Sequence, residues 1–199
     1  MSTDFDPYDD EANWRRAQES WRREQAERRL QAFRTKRPIE FAEPGDLHPD
    51  IEPWIEAYLA RGRALALIII GAVGAGKTWS LWKIQETLIE RGWRGRCEIA
   101  SSYELKEATD RPVDHDQVRV WREADLLCID DIGSQRINDW DMDALHALID
   151  TRRQHHRATV ITSNSSDLRP LLGERVASRL AGGATAVVFT NGDRRRGQQ

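Results

Sequence analysis

Leu65 to Thr78 reads LALIIIGAVGAGKT, and its two halves ask for two different backbones. The apolar run is rich in isoleucine and too short for a helix core, so it predicts a buried parallel strand ending at Gly71. The second half fills G-x-x-x-x-G-K-[ST] with Gly71, Gly76, Lys77 and Thr78, and Gly74 makes the turn more permissive still. A strand before the motif and the amphipathic segment 78–91 after it supply the context that a phosphate loop requires. Glycines let successive backbone N–H groups face a triphosphate, and the next helix adds its positive dipole end. Lys77 is placed to reach the β and γ phosphates, and the Thr78 hydroxyl to complete a Mg²⁺ shell. The loop residues Gly71, Ala72, Val73, Gly74, Ala75, Gly76, Lys77 and Thr78, with Trp79 behind them, form the expected nucleotide-binding set.

The chain of 199 residues is long enough for one α/β domain and a short appendage, and too short for two ordinary domains. A formal charge of -3 and a pI near 6.0 leave no general attraction to nucleic acid, so any such contact must come from a local patch. Cys97 and Cys128 lie in apolar surroundings without C-x-x-C spacing. They read as buried reduced thiols of a cytoplasmic protein. No apolar run approaches the ~20 residues needed to cross a bilayer, and the acidic N-terminus is unlike a signal peptide.

Four regions follow from composition. Residues 1–37 make an acidic tail, expected to be disordered over its first ten positions, and then an amphipathic helical arm of good helix formers. Glu11 and Arg15, Glu19 and Arg23, and Glu24 and Arg28 stand four apart with the acid first. Trp14 and Trp21 share one face, while Ala26, Leu30 and Phe33 form a second apolar patch. Three readings fit: the stripe packs back on the core, it docks another protein, or the many arginines of the arm contact nucleic acid directly. Residues 38–53, with four prolines and Gly45, read as linker. Residues 54–190 form the core, and 191–199 a basic tail.

Within the core, strands alternate with helices, which implies a parallel sheet covered on both faces. The strand Asp125 to Ile129 is expected to end at Asp130 and Asp131. Ligands of such sheets sit at the carboxyl ends of strands, so Asp130 is assigned to Mg²⁺ and Asp131 to orienting or deprotonating the attacking water. Two acids after an apolar run also occur as ordinary turn residues. The fourth strand ends in Thr162, Ser163 and Asn164 at the same rim. Asn164 suits either the lytic water and γ-phosphate or an Asx-turn closing the strand.

In order along the chain, GAVGAGKT, EIASSYELKEA, LLCIDDIG, VITSN and GERVASRLAGG resemble the AAA+ ATPases of the DnaC/DnaI helicase-loader group, and are also similar to the IstB transposition helpers. The likeness covers roughly residues 51–190 and leaves the arm outside. It implies an α/β fold: a three-layer αβα P-loop NTPase domain whose five-stranded parallel sheet has the order 5-1-4-3-2, without a C-terminal lid. By the same resemblance, Asp130 and Asp131 fall on Walker B and Asn164 on sensor 1. Arg179 falls on an arginine finger acting in trans, beside Arg175, so a homo-oligomer is implied. The activity implied is Mg²⁺-dependent ATP hydrolysis in a replicative helicase loader. An IstB-like helper assembling on DNA, or a nucleotide-gated oligomeric adaptor, are the alternatives. The helicase would be engaged through the arm with Trp14 and Trp21, and single-stranded DNA is a further expected contact. Candidate DNA charges are Arg152, Arg153, His155, His156 and Arg157, and Arg194 to Arg196. Cations also favour helix C-termini, which explains the first cluster without DNA, and a solvated disordered end explains the tail triplet. The tryptophans, at helical spacing among apolar residues, offer no recognisable stacking platform for a single strand.

Overall fold

The computed structural model describes residues 10–61, 66–133, 139–170, 173–174, 177–178 and 182–190. The expectation of a disordered start falls on residues outside this set, apart from Asp10. The arm forms the helix α1 (Asp10–Lys36). After it come α2 (Glu52–Arg61), β1 (Ala66–Gly71), α3 (Lys77–Glu90), β2 (Cys97–Ser101), α4 (Ser102–Thr109), α5 (His115–Glu123), β3 (Leu126–Ile132), α6 (Asp139–Gln154), β4 (Ala158–Ser163) and β5 (Thr185–Phe189). The sheet runs β2-β3-β4-β1-β5 with every pairing parallel, which is the expected 5-1-4-3-2 order read from its other edge.

Alternation along β1 divides the core into two layers. Leu67 and Ile69 point to the side of Trp54, Ile55, Leu81, Ile84 and Leu88, so α2 and α3 cover that face. Ile68 points to the other side, with Trp121, Leu145, Leu148 and Ile149 from α5 and α6. Each of these side chains contributes about 1.5–3 kcal/mol by leaving water. Ser101 opens α4 with a reciprocal capping box to Glu104, which turns the chain sharply from β2 into the helix.

β3 departs from expectation. It does not stop at the acids but continues through them to Ile132, after a register irregularity between Ile129 and Ile132. Asp131 takes up the extra residue with φ of 56°, in the left-handed region that aspartate tolerates better than most side chains. The bulge re-aims the two carboxylates while Ile132 returns to the ladder and the core.

The arm has two halves. Phe33 is buried against Trp82 of α3, with ring centroids 6.0 Å apart. Arg34 and Arg37 both reach Glu86, at 3.0 and 3.1 Å. Trp14 and Trp21 remain 65% and 54% exposed. At 3.6 residues per turn Trp21 faces about 120° away from Phe33, so the packed face and the tryptophan face are different surfaces of one helix. Of the three expected intrahelical pairs, Glu24 and Arg28 close at 2.7 Å.

Residues 38–53 lie on the core rather than beside it. Phe41 stacks on Trp82 at 6.2 Å, the Trp79 indole N–H donates to the Glu43 carbonyl at 3.0 Å, and His48 stacks on Phe189 at 5.1 Å. A Cβ at Gly45 would stand 3.0 Å from the Trp79 ring, so glycine lets this strap pass close over it. The Pro and Gly content that suggests a linker is shared by ordered straps; Phe41 and His48 are the anchors that decide between them.

Candidate nucleotide site

β1 delivers the chain to Gly71, where a Cβ would lie 2.8 Å from that of Phe189, so only glycine allows β5 to run so close to the strand end. The loop then turns through Gly74 and Gly76, with φ of 80° and 93°. Glycine enters this left-handed region without strain. Gly76 is the N-cap of α3 and brings no side-chain acceptor to the first amides of the helix. Those N–H groups and the positive end of the helix dipole therefore suit an anion.

Lys77 is nearly buried, and its ammonium has three short contacts: the carbonyls of Gly71 and Ala72, each at 2.9 Å, and Asn164 Oδ1 at 2.6 Å. Burial pushes its pKa down, against the pull of Asp131 and Asp130, which favour the charged form. Asn164 turns its other end to Asp131, donating from Nδ2 to Oδ1 at 2.7 Å. The Thr78 hydroxyl donates to Asp130 Oδ2 at 2.8 Å, and Thr162 Oγ1 holds Asp130 Oδ1 at 2.6 Å. Thr162 also accepts the backbone N–H of Asp131 at 2.8 Å, pinning the bulge from β4. Ser163 donates to the Ile132 carbonyl at 2.8 Å and fixes the strand just beyond it.

The phosphate loop, the β3 acids and the end of β4 thus form one hydrogen-bonded ring at the carboxyl edge of the sheet. Thr78 and Asp130 present hard oxygen donors side by side. That fits a Mg²⁺ shell made largely of water and phosphate, for which few protein ligands are needed. Among the described residues no group of three or more His, Cys, Asp or Glu is arranged for a metal ion.

A cleft of about 600 Å³ opens between the loop and the strap. Gly74, Gly76, Lys77, Thr78 and Trp79 form one wall, and Glu40, Phe41, Glu43, Pro44 and Gly45 the other. The second wall is absent from the sequence-based site. An aromatic residue in a Pro-rich segment, with Trp79 and Trp82 one turn apart on α3 and in need of cover, is the signal that could have revealed it. Arg179 and Arg175 lie outside the described residues, as do Arg194 to Arg196.

One candidate DNA charge is overturned. Arg152 is fully buried, donating to the carbonyls of Trp121, Ala124 and Ala158 and to Thr159 Oγ1. Burial, with the nearby Arg157 charge, lowers its pKa to about 10. It clamps the end of α5 to the start of β4 and is closed to solvent. Arg153, His155 and His156 are exposed, whereas Arg157 donates to the Arg122 carbonyl at 2.5 Å.

The family model described as IstB-like ATP binding protein matches residues 9–169. Among solved structures, the crystal structure of the DnaI has a TM-score of 0.65 at 19% identity, covering 80% of this chain and 94% of that one. The DnaC helicase loader has a TM-score of 0.60 at 22% identity, covering 75% and 96%. AMPPCP-bound DnaA from Aquifex aeolicus has a TM-score of 0.60 at 19% identity, covering 77% of this chain and 49% of that one, so the chain spans about half the length of that relative. At these identities the likeness is one of fold. No curated protein matches the chain. Among the described residues no helix is long and apolar enough to cross a membrane.

Proposed function

This chain belongs to the IstB-like ATP-binding proteins, and on that premise we propose that it is a Mg²⁺-dependent ATPase that loads a replicative helicase on single-stranded DNA. The observation that carries the ATPase reading is the closed ring from Lys77 through Asn164 to Asp131, beside the Thr78 and Asp130 pair. Binding alone needs the loop and the lysine; it does not need a carboxylate held in place by a strand-end amide.

In this reading the amides at the start of α3 and the Lys77 ammonium bind the β and γ phosphates. Lys77 gives up one of its protein acceptors as the phosphate oxygens arrive. Thr78 and Asp130 would hold a Mg²⁺ ion, which would supply charge stabilisation to the triphosphate. Asp131 orients the attacking water and accepts its proton, with Asn164 fixing the carboxylate. Arg179 of a second copy offsets the charge developing on the transferring phosphoryl group, so hydrolysis depends on assembly.

Support for the loader role is the shared fold with a protein described as a helicase loader, together with an arm that turns Trp14 and Trp21 away from its own core. A second reading, an ATPase that assembles on duplex DNA and assists a transposase, is favoured by the family to which the chain belongs. Measuring ATP-dependent assembly on single-stranded and on duplex DNA separates them. Assembly confined to duplex would overturn the loader reading. Unchanged ATP affinity in Lys77→Ala would overturn the site.

A further inference from the structure

We propose that the groove between the middle of α1 and the turn after α3 binds single-stranded nucleic acid, with Arg22, Arg29 and Arg94 on phosphates and Trp21 as a stacking plane. Arg22, Ala26 and Arg29 stand on one stripe of α1 and face Trp93 and Arg94 across a groove of about 370 Å³. None of the residues lining it is acidic. Arg29 donates to the Gly95 carbonyl at 3.1 Å, which ties the helix to the turn and fixes the groove's width. Arg22 and Arg94 are exposed and make no ion pair among the described residues, whereas Arg28, Arg34 and Arg37 do. The Arg94 guanidinium lies over the Trp21 ring, 5.7 Å from its centroid. The ring is nevertheless more than half exposed, and Trp14 lies exposed two turns away, about 10 Å along the helix axis.

The choice of occupant follows from charge and shape together. A molecule of net charge -3 gathers three guanidinium groups here without a carboxylate among them, so the groove suits a polyanion. An acidic peptide would meet the arginines but leave the two indole faces unused. A duplex would meet the arginines but keeps its base faces stacked internally. A single strand offers phosphates and free π-faces at once. The choice of a nucleic acid rests on the DNA-linked reading above, but the site does not depend on nucleotide hydrolysis. The structure supplies the platform that helical spacing hid, because the tryptophan face of α1 is turned away from the face that packs on α3.

The test measures anisotropy of a labelled oligo-dT with the full chain over a range of salt, alongside ATP-analogue binding. Arg22→Ala with Arg94→Ala should weaken oligo-dT binding by ~10-fold or more and reduce the salt slope by about 1.4, or about 0.7 for each phosphate no longer neutralised. Trp21→Ala should weaken binding by ~10-fold with the salt slope unchanged, as expected for loss of stacking. Analogue affinity should stay at the wild-type value in all variants. Oligo-dT affinity that is unchanged in both variants overturns the proposal. So does equal competition by polyglutamate combined with a silent Trp21→Ala, which would identify an acidic protein segment as the occupant. If the wild type binds oligo-dT through these residues but fails to bind the analogue, the groove stands and the ATPase reading falls.

Discussion

Lys77 Nζ and Asn164 Oδ1 meet at 2.6 Å across 87 positions of sequence, and the same Asn164 amide donates to Asp131 at 2.7 Å. One side chain therefore connects the cation proposed to bind phosphate to the acid proposed to act on water. Asn164→Ala removes both bonds while leaving the loop glycines and the α3 amides in place. ATP affinity is expected to change less than ~3-fold, since the helix N-terminus and lysine remain. Turnover should fall by ~10²-fold, the lower end of what positioned proton transfer contributes. Parallel measurement of kcat and nucleotide Kd decides: an affinity loss as large as the rate loss would show that Asn164 acts by holding the lysine.

Burial lowers the pKa of Lys77, with Asp131 and Asp130 opposing, so the ammonium should lose its proton at a lower pH than an ordinary lysine. ATP affinity should accordingly decline as pH rises from neutral into the alkaline range, before exposed lysines titrate. For stability the sign is reversed. The native state holds fewer protons on this group than the unfolded chain, so the burial cost of the charge is relieved as pH rises through the folded pKa. Lys77→Arg keeps its charge over this range and should remove the alkaline decline. A decline of the same shape in Lys77→Arg would assign it to another group.

Asp131 sits at φ of 56°, where a non-glycine side chain costs roughly 1–2 kcal/mol. Asp131→Gly should leave the melting temperature unchanged or raise it, while hydrolysis is lost. Asp131→Asn, which tolerates the same backbone, should bind ATP and fail to turn it over. Mixing Asp131→Asn with Arg179→Ala subunits should restore part of the rate through hybrid interfaces. A mixture no faster than the sum of its components would remove the trans-acting arginine from the mechanism.

Arg152 predicts an effect on folding rather than on DNA. Its guanidinium satisfies the carbonyls of Trp121, Ala124 and Ala158 in a site closed to water. Arg152→Ala leaves them unpaired beside a cavity, at a cost on the order of 3–5 kcal/mol. Chemical denaturation should show this loss. DNA affinity per folded molecule should match the wild type.

The strands and the loop were legible because both are written locally: short apolar runs fix strands, and glycines at fixed intervals fix the turn. The sheet order was implied by the family resemblance, since no local pattern says which strands pair. The Asp131 bulge was not legible, since one extra residue in a ladder leaves no mark in hydrophobic pattern. Arg152 was misplaced because arginine at a helix end is ordinarily solvated, and only the neighbouring α5 terminus shows that carbonyls await it. The second wall of the cleft escaped for a related reason. Pro44 and Gly45 report a chain that cannot be helix, and say nothing of whether it lies on Trp79 or in solvent.

Glu86 decides whether the arm stays on the core. Its nearly buried carboxylate takes Arg34 Nε at 3.0 Å, Arg37 Nη1 at 3.1 Å and Lys83 Nζ at 3.1 Å. Burial pushes its pKa up, but the bonds from Lys83 and Arg34 and the Arg37 charge outweigh it and hold the pKa below the usual glutamate range. A depressed carboxylate stabilises above its unfolded pKa and loses that contribution as pH falls through the folded value. The arm should therefore remain docked through mild acid and release only in strong acid. Glu86→Gln removes the charge at every pH. It should cost about 1–3 kcal/mol, less than a wholly enclosed network because Arg34 is 47% exposed. Limited proteolysis at neutral pH should then cut near residues 36–38 in Glu86→Gln and spare the wild type. Equal resistance in the two proteins would mean that Phe33 on Trp82 holds α1 without the ion pairs.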